Sequence, residues 1–491
     1  MTALLAGSVR VEAHRGCRRY DRMIFGQFLE HFHRQVYGGV FDPGSPLSDE
    51  RGFRKDVIAA LRELRIPIVR WPGGCFVSAY HWKDGVGRDR QPAYDKAWRV
   101  EDPNTFGTDE FIAWCRAIGA EPYICTNAGT GSAEEMSDWV EYCNGALGRW
   151  ARLRAANGHA EPHNVKFWSI GNENYGDWEI GAKKAPAWAE LVTESAKMML
   201  RVDASIRLLA AAMPNPDWTL PLLREAGKHL SYISIHGYFD ARREASPSDY
   251  STCVMRTERP EQTIRMAESI LNVAGLDGKV AIAFDEWNLR GWYHPPLGDV
   301  VFGDVAGRDK NDINSTYTMA DAVFSACFLN TCLRHSDSVR MACMAPVVNA
   351  RGPLFVHPSG LVKRTTFHAL AMYANLLEDN VASAWVASDP FAHGDGSVQA
   401  LDAVATCDDG MKHWRLALVN RHVEQELVCR VVLPGRILTG AYRATALVGA
   451  SPDAYNDIEN PQRVVPLDTP LHFKDGATSL PPHSVTVLSI E

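Results

Sequence analysis

Val280-Ala281-Ile282-Ala283-Phe284 runs without a polar break into Asp285-Glu286-Trp287-Asn288. The first five residues are too apolar for a solvent-facing segment and read as a strand buried on both faces, the kind that parallel sheets covered by helices require. Phe167-Trp168-Ser169-Ile170, ahead of Gly171-Asn172-Glu173, repeats the arrangement. Working outward, β-rich runs fall at Met23–Phe28, Pro67–Trp71, Pro122–Thr126, Val165–Ile170, Arg207–Ala212, Tyr232–His236, Val280–Phe284 and Met341–Val348, separated by amphipathic segments. Val57, Ile58, Leu61 and Leu64 form one apolar helical stripe, Gly119 stops the helix over Phe111–Ile118, and Ser132 with Glu135 predicts a capping box. Eight strands with intervening helices is the count that closes a (β/α)8 TIM barrel, an α/β fold.

A chain of 491 residues exceeds one barrel, and the remainder has its own texture. From about Ser383 short alternating strands such as Trp414–Asn420 and Leu427–Leu433 follow one another, broken by Pro434-Gly435 and Pro481-Pro482. The expected division is an N-terminal strand in residues 1–17 joining a β-sandwich, a barrel over 18–384 and a C-terminal β-sandwich over 385–491.

Composition excludes several classes of function. The net charge is −8 and there is no dense Lys/Arg run, so nothing provides an electrostatic footprint for nucleic acid. No segment approaches the ~18 uninterrupted apolar residues of a membrane helix, and the first residues lack the basic-then-apolar order of an export signal. Eleven cysteines without CxxC spacing read as reduced thiols rather than a disulfide frame or zinc site. These features predict a cytoplasmic protein with a neutral substrate, and 14 Trp with 15 Tyr suffice to line a sugar-binding cleft as well as a core.

In a parallel barrel the active site lies at the C-terminal strand ends. There stand Glu30, then Gly73, Gly74 and Cys75, then Asn127, Asn172 with Glu173, His236 with Tyr238, and finally Asp285, Glu286, Trp287 and Asn288. Cleavage of a glycosidic bond needs two carboxyl groups flanking the anomeric carbon, and Glu173 with Glu286 is the natural pair. A single strand-end Glu reads more readily as an ordinary polar strand end or a salt-bridge partner; two of them, after strands four and seven, reverse that balance and point to a site. His31 and His33 alternate as on one strand face, but no carboxylate or histidine at ligand spacing completes a metal set. Neither a metal nor another cofactor is expected.

Several runs together resemble a known family: Ile24-Phe-Gly-Gln-Phe-Leu-Glu30-His, Val36-Tyr-Gly-Gly-Val, Arg70-Trp-Pro-Gly-Gly-Cys75-Phe, Asp84-Gly-Val-Gly87, Ala97-Trp-Arg99, Trp168-Ser-Ile-Gly-Asn-Glu173 and Phe284-Asp-Glu-Trp-Asn288. In order from about residue 20 to residue 380, the chain resembles the α-L-arabinofuranosidases of glycoside hydrolase family 51. The resemblance implies a retaining, exo-acting enzyme that releases terminal arabinofuranose from arabinose-containing oligosaccharides, with Glu173 as general acid/base and Glu286 as nucleophile. For the first step Glu286 must be ionised while Glu173 holds a proton. It also implies that Glu30, Cys75, Asn172 and Tyr238 hydrogen-bond the sugar, that Trp98 and Trp292 shape the pocket, and that the subunits form a homo-oligomer, a hexamer. His236 reads equally as a structural donor or a site residue.

The chain departs from the family pattern at three places. Asn174-Tyr-Gly-Asp-Trp178 replaces Met-Asp-Gly-Pro-Trp, Arg290 and Gly291 stand as insertions before Trp292, and Pro346 stands where a substrate-binding Gln is usual, leaving Asn349 or Arg351 to hold its sugar hydroxyl. Two other readings stay open: the same machinery acting on another furanoside, a β-xyloside or a β-glucan, and a non-catalytic carbohydrate-binding protein on a hydrolase fold.

Overall fold

In the computed structural model, which describes residues 5–13, 16–240, 246–292 and 306–491, eight parallel strands close into a barrel. They are β1 (Gly26–Phe28), β2 (Ile68–Trp71), β3 (Glu121–Thr126), β4 (Phe167–Ile170), β5 (Arg207–Ala211), β6 (Tyr232–Asp240), β7 (Ala281–Arg290) and β8 (Val339–Met344). A long helix follows each in turn: α1 (Lys55–Glu63), α2 (Thr108–Ile118), α3 (Ala133–Asn144), α4 (Ala185–Val202), α5 (Pro216–Ala226), α6 (Arg259–Val273), α7 (Met319–Arg334) and α8 (Thr365–Leu376). Phe28, Ile68, Tyr123, Leu209, Tyr232, Ala283 and Met341 pack together inside the barrel. Among the described residues no helix is long and apolar enough to cross a membrane.

The boundaries differ from the expected ones for local reasons. Residues Arg22–Phe25 form a 3-10 turn rather than the start of β1, because the Asp21 carboxylate accepts from the Met23 amide at 3.0 Å and winds the chain. β8 stops at Met344, two residues before Pro346, which has no N–H to give a ladder. β6 and β7 run past their expected ends and pair there, His236 opposite Glu286 and Asp240 opposite Arg290. Arg290, read as an insertion, is thus the last residue of β7; it is buried and ion-paired with Asp240 at 2.7 Å and with Asp321 of α7 at 3.0 Å. The Ser132 capping box is only half made. Ser132 accepts from the Glu135 amide at 3.1 Å, but the Glu135 carboxylate turns away to His81 at 2.9 Å.

Apart from four two-stranded pairs, the remaining strands form two sheets that pack on each other. In the four-stranded sheet Leu5–Val11 lies between Ala384–Ser388 and Leu427–Val432, with Ala477–Leu480 at the edge. The seven-stranded sheet, with Leu401–Cys407, Trp414–Asn420 and Ser484–Ile490 at its centre, also covers α7. Caught between barrel and sheet, α7 is buried from Met319 to Leu333, which is why its sequence lacks a polar face. All eleven cysteines are free thiols.

Candidate active site

Both carboxylates reach one small volume above the barrel. Glu286 lies within β7, paired with His236 of β6 just past a shift in register. Glu173 stands three residues beyond β4 on a left-handed backbone, φ 42°, a conformation that a side chain other than glycine seldom adopts and that surrounding contacts must hold. A Glu173 oxygen, a Glu286 oxygen and a ring nitrogen of His236 all lie within 4.8 Å of one another. His236 Nδ1 is 2.8 Å from Glu173 Oε1 and 3.5 Å from Glu286 Oε2.

The two acids are held differently. Glu286 accepts from Arg70 Nη1 at 2.8 Å and from the Tyr238 hydroxyl at 2.5 Å. Arg70, fully buried in β2, also donates to Asn172 Oδ1 at 2.7 Å and lies 3.4 Å from Asp285, which in turn accepts from Tyr123 and Ser234. Asn172 Nδ2 donates to Glu179 at 3.2 Å. Glu173 accepts from Trp178 Nε1 at 2.9 Å and from the Tyr175 hydroxyl at 3.4 Å, both in the segment that departs from the family pattern.

Charge follows from these contacts. Burial opposes the imidazolium of His236, but Glu286, Asp285 and Glu173 outweigh it and lift the group to about 10. Burial by itself pushes the Glu173 carboxyl up; the hydrogen bond and charge of His236 reverse this and hold it below the usual carboxylate range. At neutral pH these shifts leave the proton between the two acids on His236, from which Glu173 must draw it for the first step. Burial, then the Glu286 charge, pushes Glu30 up to about 8, and burial pushes Glu179 up to about 7. Burial also lifts the Cys75 thiol well above its ordinary value, so it is an S–H group rather than a nucleophile.

Around this centre the other expected residues fall into place by different routes. Glu30 accepts from the Phe76 amide at 3.1 Å and from Trp98 Nε1 at 2.8 Å. Gly73, at φ 108°, allows that approach, since a Cβ there would stand 2.6 Å from Glu30 Cβ. Cys75 shares a cluster with Glu173 and Glu179. Trp98 sits between the short strands Ala93–Asp95 and Val100–Asp102, and the Phe32 ring packs against both Trp98 (4.1 Å) and Trp292 (4.0 Å). Tyr238 is committed to Glu286.

Three candidates serve the scaffold. Asn127 ties its own loop through the amides of Gly129, Thr130 and Gly131. Trp287 stacks on Phe328 of α7 at 3.7 Å, and Asn288 donates to the carbonyls of Ala345 and Arg351. His31 and His33 separate: His31 lies between Asp102 and Trp71, whereas His33 meets Asp312 at 2.7 Å and Asp309 at 3.3 Å. That acidic pair is some 280 residues away, beyond any spacing rule, and the Asp312 oxygen that meets His33 also takes Arg34 at 2.7 Å.

Sequence reasoning missed Arg70, although a lone arginine in the run Ile68-Val69-Arg70-Trp71 announces carboxylates waiting for it. It also missed Glu179, for which the local sequence carries no signal.

Comparison with known proteins follows the same lines. The α-L-arabinofuranosidase C-terminal domain family matches residues 285–484 and the α-L-arabinofuranosidase 1 domain family residues 60–253. The α-L-arabinofuranosidase C of Emericella nidulans is 32% identical over 98% of this chain and 97% of its own length. The intracellular exo-α-(1→5)-L-arabinofuranosidase of Halalkalibacterium halodurans is 35% identical over 83% of each chain. The structure of a family 51 α-L-arabinofuranosidase from Bifidobacterium longum covers 100% of both chains with a TM-score of 0.89 at 29% identity.

Proposed function

Since the chain belongs to the α-L-arabinofuranosidases of glycoside hydrolase family 51, we propose that it is an exo-acting, retaining enzyme whose nucleophile is Glu286 and whose acid/base is Glu173. The observation that carries this reading is the approach of the two carboxylates within 4.8 Å. Retaining glycosidases hold their acids about 5–5.5 Å apart, whereas an inverting pair needs about 6.5–9.5 Å to admit a water.

In the first step a Glu286 oxygen bonds the anomeric carbon while the glycosidic oxygen leaves with a proton from Glu173. Glu173 draws that proton from His236. The foremost support of the imidazolium charge is Glu286, and that support ends when Glu286 becomes an ester. Glu173 is then ionised and ready to take a proton from the water that cleaves the ester in the second step, returning it to His236. Arg70 aims the nucleophile, and Arg70 with Glu179 fixes the amide of Asn172 beside the reacting carbon. Trp178, exposed and bonded to Glu173, offers an aromatic face to the leaving group.

Short arabinose-containing oligosaccharides and a cytoplasmic site of action complete the proposal. A relative named as intracellular and exo-acting supports both. Assembly into hexamers is what the family implies, and light scattering of the purified protein measures it. The decisive experiment follows hydrolysis of an arabinofuranosyl oligosaccharide by proton NMR. Retention at the first-formed anomer is expected, and an inverted product overturns the mechanism.

A further inference from the structure

The loop from Ala345 to Arg351 crosses the pocket wall and is closed by a tight turn. A Cβ at Gly352 would lie 2.8 Å from the Pro346 carbonyl and 2.9 Å from the Val348 amide. Asn288 at the end of β7 pins the loop from below through two carbonyls, 2.9 Å to Ala345 and 3.1 Å to Arg351. Within it Pro346 has no donor to offer. Asn349 is held within the loop and fully buried, its Nδ2 donating to the Arg34 carbonyl at 2.5 Å and its Oδ1 accepting from the Val356 amide at 2.7 Å.

Arg351 is different. Its Nε donates to the Ala345 carbonyl at 3.0 Å, but Nη1 and Nη2 are buried without a hydrogen-bond partner among the described residues, in a residue only 2% exposed. The guanidinium carbon lies 4.0 Å from the centre of the Tyr238 ring and 3.5 Å from that of Trp292. Aromatic faces on this scale hold a guanidinium in place but satisfy none of its N–H groups. A buried cation with two idle donors is expensive for a protein to keep, and it is kept where a ligand supplies the acceptor.

Its position identifies the acceptor. The Tyr238 hydroxyl touches Glu286 while the face of the same ring carries Arg351, so the guanidinium stands one phenol ring away from the nucleophile. Asn172, joined to Glu286 through Arg70, belongs in the proposed mechanism beside the reacting carbon. We propose that Arg351 is the specificity-determining residue for the far end of the terminal sugar, binding through Nη1 and Nη2 an oxygen carried by its exocyclic carbon. That oxygen belongs to a hydroxymethyl group in an ordinary arabinofuranoside and to a carboxylate in the corresponding uronide. The inference rests on the proposed activity.

The test compares wild type, Arg351→Met and Arg351→Lys on three nitrophenyl substrates: α-L-arabinofuranoside, its 5-deoxy analogue and its 5-carboxylate. Arg351→Met is expected to lower kcat/KM on the parent about ten- to a hundredfold, with most of the loss in KM, and to leave the 5-deoxy substrate unchanged. Arg351→Lys, which keeps the charge and a donor, falls between and guards against a folding defect, checked by its melting curve. A wild-type preference for the carboxylate that vanishes in Arg351→Met supports the contact and identifies the acid as its source; a preference for the parent supports the hydroxyl. Equal loss on parent and 5-deoxy substrates overturns the proposal. Wild type without activity on any arabinofuranoside overturns instead the activity on which it rests.

Discussion

At the end of β7 the chain stays extended and paired with β6, whereas at the end of β4 it turns. Glu286 is therefore still a strand residue, gripped by a fully buried arginine and a tyrosine, and its side chain is 8% exposed. Glu173 stands off its strand on a left-handed backbone, bonded to a histidine that carries a proton and to a tryptophan that is 62% exposed. The contrast matches two chemical duties. An attacking oxygen must arrive along one line, which rigid donors enforce. An acid/base must exchange a proton twice, with the departing alcohol and then with water, which needs a proton store on one side and an open edge on the other.

The largest effect expected from this contrast separates the two acids. Glu286→Ala leaves no nucleophile, so turnover is expected to fall by about 10⁴-fold or more on every substrate, activated or not. Glu173→Ala is expected to lose about 10²–10⁴-fold on an oligosaccharide, yet to form the covalent intermediate rapidly from a dinitrophenyl glycoside, whose leaving group departs unaided. Azide should then rescue Glu173→Ala with net retention and Glu286→Ala with inversion, read from the anomeric configuration of the glycosyl azide. Swapped stereochemistry reverses the two roles.

Much of the extended side was legible beforehand. An apolar run ending in Asp285-Glu286 declares both a buried strand and its polar terminus, because one side-chain pattern determines both. The turning side was not. Glu173 was found as a residue, but its left-handed backbone cannot be read from Gly171-Asn172-Glu173, and the proton on His236 depends on a contact between the turn after β4 and a residue of β6. The same limit hid the meeting of His33 with Asp312 and the ion pairs of Arg290 with Asp240 and Asp321, which join separate strands and helices. Where a local signal existed it could still divide, as at Ser132 and Glu135, where the hydroxyl caps the helix while the carboxylate serves His81.

The proton store sharpens the comparison through pH. His236 is raised to about 10 by Glu286, Asp285 and Glu173 against burial and Arg70, so it stays charged below that value and loses its proton as pH rises through it. The alkaline limb of kcat/KM is expected near pH 10, not near the 6.5 of an ordinary histidine. His236→Asn removes the cation that lowers Glu173, so that carboxyl rises, holds its own proton and becomes the alkaline limb, which is expected to move to lower pH than in the wild type. Glu30, raised to about 8, supplies the control. A wild-type limb near 8 that Glu30→Gln moves and His236→Asn does not assigns the titration to Glu30 and removes the proton store from the mechanism.

The smallest expected effects come from one donor on each side. Tyr238→Phe removes a buried hydroxyl from the nucleophile and leaves one carboxylate oxygen without its donor. A hydrogen bond to a buried charge contributes about 1.5–3 kcal/mol, so kcat is expected to fall by about 10–150-fold, and equally on aryl and oligosaccharide substrates, because attack is needed for both. Trp178→Phe removes a donor of similar length from Glu173, but at an exposed edge where water replaces it. A hydrogen bond from a neutral donor that water can replace contributes about 1 kcal/mol net, so the loss is expected to stay near fivefold. That loss should appear only on unactivated substrates, since an aryl leaving group does not call on the acid. Paired kinetics on a dinitrophenyl glycoside and an arabino-oligosaccharide measure both variants together. A Trp178→Phe loss as large as that of Tyr238→Phe, and equal on the two substrates, would show that the β4 side is as rigidly held as the β7 side and that the open edge has no part in proton exchange.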